Sequence, residues 1–224
     1  MIRSKRAFKQ KTVFIFSNAK RETTQSMKKN ISELRKPEIV QALYKAIEIH
    51  GVKLPSFDQI ANAGNMSRQL VRHYFSDSDE MAVMLCDTLA SVYKDYLRSG
   101  IILVDETQRL NLFLDFYFGL LSDRGLPKPA DDLVYDAVLA FAISNPTVRT
   151  NLKNQYILLQ MTLAHEITIS HPSLDHAKCN ELGYLIVIAI VGHWKMVASL
   201  GFDTEYNRVT RNSLDRLIES YVNE

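Results

Sequence analysis

Residues 56–75 constrain the fold of this chain most, because they predict two short helices joined by a tight turn. Ser56 and Gln59 have the spacing of a capping box, in which each side chain accepts a hydrogen bond from the other residue's backbone N–H. The Gly64–Asn65 pair ends the first helix, since both residue types tolerate a left-handed backbone. Ser67 is placed to cap the second helix. The segment therefore predicts a helix-turn-helix.

The second predicted helix has one apolar and one polar face. The apolar face points inward and consists of Val71, Tyr74 and Phe75. The polar face recurs at helical spacing and consists of Arg68, Gln69, Arg72 and His73. Such a helix fits the DNA major groove, where these side chains can read base edges. The alternative is an ordinary helical hairpin with a solvated basic face.

Helices are also predicted on both sides of this segment. Pro37 sits where the first turn of a helix accepts proline, and it is followed by an apolar stripe of Ile39, Val40, Leu43 and Ile47. A long helix is predicted from about residue 78 to 98, with acidic residues in its first turn, where the helix dipole favours them. Residues 37–82 therefore form a three-helix head that a long fourth helix follows.

At these residues the chain resembles the TetR family of bacterial transcription regulators. The matching motifs are Ile60-Ala61, Gly64-Asn65-Met66-Ser67, Val71-Arg72-His73-Tyr74-Phe75 and Asp77-Ser78-Asp79-Glu80-Met81. Outside about residues 37–85 the resemblance is one of architecture. It implies a ligand-responsive repressor that binds a palindromic operator, in double-stranded DNA, as a homodimer.

Three residues depart from the family's pattern. Asn65 stands where the turn glycine is usual, and asparagine is well suited among other residues to that backbone. Arg72 replaces a phosphate-contacting tyrosine, so it could contact a phosphate or read guanine. Ser78 replaces a lysine and lies between Asp77 and Asp79, which removes a cation and adds repulsion toward DNA.

The candidate DNA-binding residues belong to this head. Arg68, Gln69 and His73 are expected to meet bases, whereas Lys36 and Lys53 are expected to meet the phosphate backbone. The full set is Lys36, Lys53, Ser56, Ser67, Arg68, Gln69, Leu70, Arg72, His73 and Tyr74.

The chain's charge is unevenly distributed. Residues 1–75 hold 15 Lys and Arg against 5 Asp and Glu, a net +10, and residues 76–224 hold 12 against 20, a net −8. Most of the excess lies in a basic extension over residues 1–36, which can track phosphates. Other interpretations are a solvated, disordered tail and translation from Met27 instead of Met1. Its short apolar run at 12–16 is too brief for a signal peptide.

The 224 residues allow one such head and a larger helical domain over residues 83–224. Apolar periodicity and breakers predict an all-α fold of about nine helices, with helices near 105–122, 130–144, 147–170, 174–200 and 205–222. Cys86 and Cys179 form no CxxC pair, which indicates reduced cysteines and a cytoplasmic protein.

The penultimate predicted helix contains the run 182–191, which is apolar around its whole circumference. This run is too short to span a membrane, and a helix of this kind must be covered on all sides. By the resemblance, the last two helices pair with their copies in a homodimer. The alternative is burial entirely within one monomer.

The resemblance also implies an inducer pocket among the middle helices. Its candidate residues are Phe113, Phe116, Tyr117, Tyr135, Phe141, Tyr156, Met161, His165, His193 and Trp194. Aromatic and Met residues at helical spacing also form ordinary cores, which is the alternative for each of them. Few cations are expected to be buried, which favours a neutral or lipophilic ligand.

Enzymatic and metal-binding signals are weak. There is no glycine-rich phosphate loop, nucleophile elbow or HExxH motif, and we expect no catalytic residues and no cofactor. His171, His176 and Cys179 are close in sequence but lack an evident fourth ligand, so no metal site is expected. Two other functions remain open: a chromosome-organising DNA-binding protein of the same fold, and a helical enzyme or lipid carrier whose head has lost DNA binding.

Overall fold

The computed structural model describes residues 31–223, with side chains from residue 34 onward. This part of the chain contains nine α-helices and no strand, which confirms the predicted all-α fold. The helices are α1 Ile31–His50, α2 Phe57–Gly64, α3 Arg68–Tyr74, α4 Ser78–Ile101, α5 Arg109–Tyr117, α6 Asp132–Ser144, α7 Pro146–Ser170, α8 His176–Trp194 and α9 Tyr206–Val222.

Two predicted helix bounds are wrong. Helix α1 begins at Ile31, so Pro37 lies inside the helix, where it removes one backbone N–H donor, and not in its first turn. The helix predicted over 105–122 is a 3-10 turn, Glu106–Gln108, followed by the shorter α5. Helix α5 ends early because Gly119 has a φ of 69°, which leaves the right-handed helical region.

Helix α8 begins two residues later than predicted. Its N-cap is Asp175, whose carboxylate accepts from the Lys178 backbone N–H at 2.8 Å. The helix continues through a π-helical turn, Lys195–Ser199. The resulting 24-residue run is long and apolar enough to cross a membrane by length and composition alone, a test that a buried core helix also passes. The run 182–191 is itself only ten residues long, and only the longer segment around it reaches the length of a membrane span.

Helix α8 nevertheless packs within the protein. Its Leu182, Ile186 and Ile190 belong to a buried cluster with α5, α7 and α9. The crossing with α7 is close, since a Cβ on Gly183 would lie 2.7 Å from the backbone oxygen of Gln160. The apolar character of α8 is thus explained on one side by this core.

The buried side chains form two clusters. One joins α1, α2 and α3 to the first half of α4 and extends into α6 and α7; we call it the head core. The other joins α5, α7, α8 and α9, with Tyr93 of α4 at its edge; we call it the regulatory core. Helix α4 contributes Leu85 to the head core and Tyr93 to the regulatory core, so one rigid element runs through both.

Candidate DNA-contacting face and ligand cavity

The turn between α2 and α3 is built by local hydrogen bonds. The Ser56 backbone N–H donates to Gln59 Oε1 at 2.8 Å and the Gln59 backbone N–H donates to Ser56 Oγ at 3.3 Å, which confirms the capping box. Asn65 takes φ 51° and ψ 50°, the left-handed conformation that was predicted. The Leu70 backbone N–H donates to Ser67 Oγ at 3.1 Å, which confirms the second cap.

Gly64 has a different role from the one predicted. It is not among the residues with positive φ within the described chain. A Cβ at this position would lie 2.7 Å from the Cβ of Ala42 and 2.5 Å from Cε of Met66. Glycine is therefore needed here because α1 and α2 approach closely, whereas the left-handed backbone is carried by Asn65.

Helix α3 separates its side chains as the sequence predicts. Val71 and the following Phe75 are fully buried. The outward face is exposed and consists of Arg68, Gln69, Arg72 and His73. Leu70 and Tyr74 are half-buried at its margins, and Lys53, Ser56 and Ser67 are exposed nearby. The candidate base-reading residues therefore share one accessible surface, which we call the α3 face.

The basic side chains of the α3 face already have partners. Arg68 Nη1 lies 3.1 Å from Asp58 Oδ2 of α2, and both side chains remain about half exposed. The guanidinium of Arg72 lies 5.6 Å from the ring centroid of Phe57, in a cation–π arrangement. These contacts orient the side chains without removing them from solvent.

Lys36 is less available than predicted. Its ammonium forms an ion pair with Glu80 in the first turn of α4 and lies 5.1 Å from the Phe75 ring centroid. Residues 34–82 hold six Lys and Arg and six Asp and Glu, so this part of the head is neutral. The net positive charge of the amino-terminal third comes from the basic extension, whose residues 1–30 lie outside the described part of the chain.

A cavity of about 470 Å³ lies among α4, α5, α6, α7 and α8. Five of the ten predicted pocket residues line it: Phe113, Tyr117, Tyr135, Tyr156 and Trp194. Its apolar walls come mainly from α4, α7 and α8 and include Leu97, Ile101, Leu159, Ile190 and Val191. A volume of this size accommodates a small organic molecule.

The other five predicted residues are not among the lining residues. Phe116 packs in the regulatory core against Tyr96, with ring centroids 5.8 Å apart. Phe141 packs against the head core, and Met161 and His165 face solvent on α7. His193 is buried, but its ring nitrogens lie 3.0 Å from Asn207 Oδ1 and 3.0 Å from Thr210 Oγ1, so it joins α8 to α9.

The polar floor of the cavity was missed in the sequence. Lys128 Nζ donates to both carboxylate oxygens of Asp132 and to the backbone oxygen of Pro129, each at 3.0 Å. The same ammonium lies 4.2 Å from the Trp194 ring centroid and 3.8 Å from Asp131 Oδ1. Lys128 is therefore a buried cation beside the cavity, contrary to the expected scarcity. The spacing of Lys128, Asp131 and Asp132 was its only sequence signal.

Burial perturbs the acid behind this floor. Desolvation raises the pKa of Asp131 to about 6, although nearby Lys128 and the hydrogen bond from Tyr93 oppose the shift. The Tyr93 hydroxyl donates to Asp131 Oδ1 at 2.9 Å. Asp131 is therefore mainly ionised at neutral pH while almost completely buried.

Three tyrosine hydroxyls are available to the cavity. Burial raises the pKa of Tyr117, of Tyr135 and of Tyr156, the last to about 12, so all three are neutral at physiological pH. Their hydroxyls form no hydrogen bond to any other residue within 34–223. Convergent polar groups in an apolar cavity are typical of ligand sites. We call Lys128, Asp132 and these three tyrosines the polar floor.

The mouth of the cavity has different chemistry. Lys94 and Arg98 of α4 are exposed there, and Ile102 and Leu158 add exposed apolar surface. Arg98 approaches Asp95 only to 3.8 Å, with both side chains about three-quarters exposed. The cationic groups of Lys94 and Arg98 are thus solvated, whereas that of Lys128 is buried.

One face of α8 is also uncovered. Tyr184 and Ile188 lie on it and are 54% and 50% exposed, although they interrupt a run of buried apolar residues. Val209 of α9 is 53% exposed. The last two helices therefore present apolar side chains to solvent in the single chain, where a paired copy was predicted to cover them.

The two cysteines are buried, and His176 and Cys179, which are close in sequence, lie in different environments. Cys86 and Cys179 are buried free cysteines. His176 is exposed, whereas Cys179 lies in the regulatory core. Among the described residues, no three His, Cys, Asp or Glu side chains are grouped as metal ligands.

No family model and no curated protein matches the chain. Solved structures do match it. A transcriptional regulator from Rhodococcus sp. Rha1 has a TM-score of 0.66 and 17% identity, over 84% of this chain and 96% of that one. A TetR transcriptional regulator from Legionella pneumophila has a TM-score of 0.61 and 16% identity, over 87% of this chain and 99% of that one. The transcriptional regulator FadR from Bacillus subtilis, in complex with stearoyl-CoA, has a TM-score of 0.58 and 16% identity, over 80% of this chain and 96% of that one. The chain therefore has the fold of TetR-family transcriptional regulators.

Proposed function

We propose that this chain is a cytoplasmic, DNA-binding transcriptional regulator that acts as a homodimer and responds to a small ligand. The observation that carries the proposal is the α3 face. Arg68, Gln69, Arg72 and His73 are exposed together on a short helix whose start and orientation are held by caps. A capped helix of this kind can place its amino-terminal residues against base edges in the major groove.

The roles of the head residues follow from their positions. Arg68, Gln69 and His73 would contact bases, and Arg72 a base or a phosphate. Lys53, Ser56, Ser67, Leu70 and Tyr74 surround the α3 face and would contact the backbone. Lys36 would have to exchange Glu80 for a phosphate. Since the described head is neutral, the basic extension would supply much of the salt-dependent affinity.

Dimerisation is supported by the uncovered face of α8 and α9. Tyr184, Ile188 and Val209 are large apolar residues that are each about half exposed. A two-fold contact through this face would cover them and place two α3 faces on one side of the dimer. Two heads so related would read a palindromic site.

Ligand response is supported by the position of the cavity. Helix α4 begins in the head, contributes Leu85 to the head core and lines the cavity with Tyr93, Leu97 and Ile101. The FadR neighbour holds its ligand in a protein of the same fold. A ligand that binds one orientation of α4 more tightly would shift the equilibrium between two spacings of the heads. The size of that shift is set by the difference in the ligand's affinity for the two orientations.

The test is binding to DNA upstream of the protein's own gene, at physiological salt and with excess competitor DNA. The wild type should bind specifically as a dimer. Arg72→Ala and Gln69→Ala should lose sequence preference while keeping the helical circular dichroism spectrum. Lys153→Ala, which removes an exposed cation on α7, is the matched control and should bind as the wild type does.

Three results would contradict the proposal. Unchanged preference in both α3 variants would show that this face does not read DNA. No binding even at low salt would mean that Glu80 and its acidic neighbours prevent contact, which would favour a ligand-binding protein with a degenerate head. Binding that competitor DNA abolishes would instead favour a dispersed-site, chromosome-organising role.

A further inference from the structure

We propose that the cavity binds an organic anion with an apolar tail, and that the anionic head lies at the mouth beside Lys94 and Arg98. This ligand class rests on the proposed ligand-responsive function and makes it more specific. Three observations support it: most charges along the cavity are already compensated, two cations at the mouth have no strong partner, and the walls behind them are apolar.

Three of the charged side chains that line the cavity are compensated within the protein. Among the described lining residues, Asp132 is the only acid, and both of its carboxylate oxygens accept from Lys128 at 3.0 Å. The ammonium of Lys195 forms an ion pair with Asp136, whose other oxygen accepts from the Ser199 hydroxyl at 2.6 Å. A charged group placed beside these pairs would lose hydration without gaining a free partner, so this part of the cavity suits an apolar group.

The mouth, in contrast, holds two cations that remain available. Lys94 and Arg98 are both exposed and lie four residues apart on α4. Arg98 approaches the exposed Asp95 only to 3.8 Å, and Lys94 forms no hydrogen bond or ion pair with any residue between 34 and 223. Side chains at this spacing are neighbours on the helix surface, so both can approach one anionic group.

The α7 side of the mouth adds no acid. Residues 146–165 of this helix contain neither Asp nor Glu. Its lining amide, Gln155, donates to Asp87 at 3.1 Å, and its lining hydroxyl, Thr162, donates to a backbone oxygen of the same helix at 2.8 Å. The mouth therefore keeps a net charge of +1 when Asp95 is counted with the two cations.

The walls behind the two cations are apolar. Leu97 and Ile101 follow Lys94 and Arg98 by three residues and line the cavity from the same side of α4. Leu159 lines it from α7. Each methylene that such walls remove from water strengthens binding by about fourfold. An amphipathic anion thus matches both parts of the site, with its head at the mouth and its tail along these walls.

Matched ligands test the charge of the head group. Decanoate, decanol and decyltrimethylammonium share one tail and differ in the charge of the head. Binding to the full-length protein is measured by titration calorimetry at neutral pH, without DNA and below micelle-forming concentrations. We expect decanoate to bind about fivefold to tenfold more tightly than decanol at low salt, and the ammonium to bind most weakly. The advantage of decanoate should shrink as salt rises, because both cations are solvated.

Variants then locate the head and the tail. Lys94→Gln/Arg98→Gln removes both charges from exposed positions and should reduce the affinity for decanoate to that for decanol, while decanol changes less than about twofold. Lys153→Gln removes an exposed cation of α7 that does not line the cavity, and this matched control should leave both affinities unchanged. Leu159→Trp fills part of the cavity and should weaken decanoate and decanol alike, with circular dichroism to verify that it folds.

Four outcomes would overturn the proposed ligand class. Equal binding of decanoate and decanol, or tighter binding of the ammonium, would show that the mouth does not select an anion. A preference for decanoate that survives in Lys94→Gln/Arg98→Gln would show that the head binds elsewhere. Binding of none of the three ligands would show that the cavity does not take an alkyl tail. None of these outcomes bears on DNA binding, which the upstream-DNA experiment measures separately.

Discussion

The α3 face and the polar floor both group charged side chains, but they hold them in opposite environments. Arg68 of the α3 face and its partner Asp58 are 49% and 59% exposed, whereas the side chains of Lys128 in the floor and of Asp131 behind it are 6% and 3% exposed. An exposed pair contributes little to folding and can exchange partners at little cost. A buried charge must keep its partner, because desolvation would otherwise destabilise the fold.

This difference suits the two proposed tasks. A DNA-contacting surface must release its internal ion pairs when phosphates arrive, and the pairs of Arg68 and Lys36 are of that kind. A ligand cavity must keep its shape without a ligand, and its buried hydrogen bonds do so. Substitutions in the head should therefore change DNA binding more than stability, and those in the floor should change stability first.

The largest expected effect is the loss of the floor's cation. Lys128→Met would leave the buried Asp131 and the half-buried Asp132 without this counter-charge, at a cost of about 3 kcal/mol in the free energy of unfolding. Arg68→Met, its counterpart in the head, should cost less than about 1 kcal/mol. Denaturant unfolding followed by circular dichroism measures both. Equal losses would mean that the two regions do not differ in this way.

A somewhat smaller effect is expected at Asp131, and it depends on pH. Its pKa rises from 3.8 to about 6 on folding. Between these two pH values, the folded state therefore holds a proton that the unfolded state has released. The stabilisation of the folded state by this proton is fully present below about pH 4 and is lost as pH rises through about 6. As pH rises from 4.5 to 7.5, the free energy of unfolding of Asp131→Asn should therefore increase relative to that of the wild type by on the order of 2 kcal/mol.

Unfolding of both proteins across that range provides the measurement. The Asn variant keeps an acceptor for the Tyr93 hydroxyl and removes only the titration. A stability difference that does not change with pH would show that Asp131 does not titrate in this window.

The capping box of the head should have an intermediate effect. Ser56→Ala removes the acceptor of the Gln59 backbone N–H and should cost about 1 kcal/mol. Ser99→Ala, which loses an exposed hydroxyl bond to the Tyr96 carbonyl, is a suitable control and should be nearly neutral. If Ser56→Ala is also neutral, the α2–α3 turn is held by packing at Gly64 instead of by its cap.

The smallest effect on stability is expected at Asp58. Asp58→Asn should change the free energy of unfolding by less than about 0.5 kcal/mol, because the ion pair with Arg68 is exposed. On the proposed function, it should strengthen DNA binding about two- to fivefold at low salt, since Arg68 no longer competes between a carboxylate and a phosphate. Weaker DNA binding would indicate that Asp58 is needed to orient Arg68.

The head could be predicted in detail because its signals are local. The bonds of Ser56 with Gln59 and of Ser67 with Leu70 span three residues, and Asn65 adopts the backbone that its residue type tolerates. The role of Gly64 was predicted wrongly because the contact that requires glycine there is with Ala42, on another helix. The ion pair of Lys36 with Glu80 was not foreseen for the same reason.

The cavity could be predicted only in part. Aromatic residues at helical spacing mark an inward face, but that face can meet a core, another helix or a cavity. Phe113 and Tyr117 line the cavity, while Phe116 of the same helix packs in the core. His193 was assigned to a ligand because its partners, Asn207 and Thr210, belong to α9.

Four features follow from residue type and spacing alone: the helical composition, the turn and caps of the head, the outward residues of α3 and the uneven charge along the chain. Each depends on neighbours within about one or two helical turns, or on composition alone. Three others arise from helix packing: Lys128, Asp131 and Tyr93 meet beneath a cavity, α4 joins both cores, and Lys36 is neutralised by Glu80. Burial and the pairing of distant charges depend on how helices pack, which residue spacing does not specify.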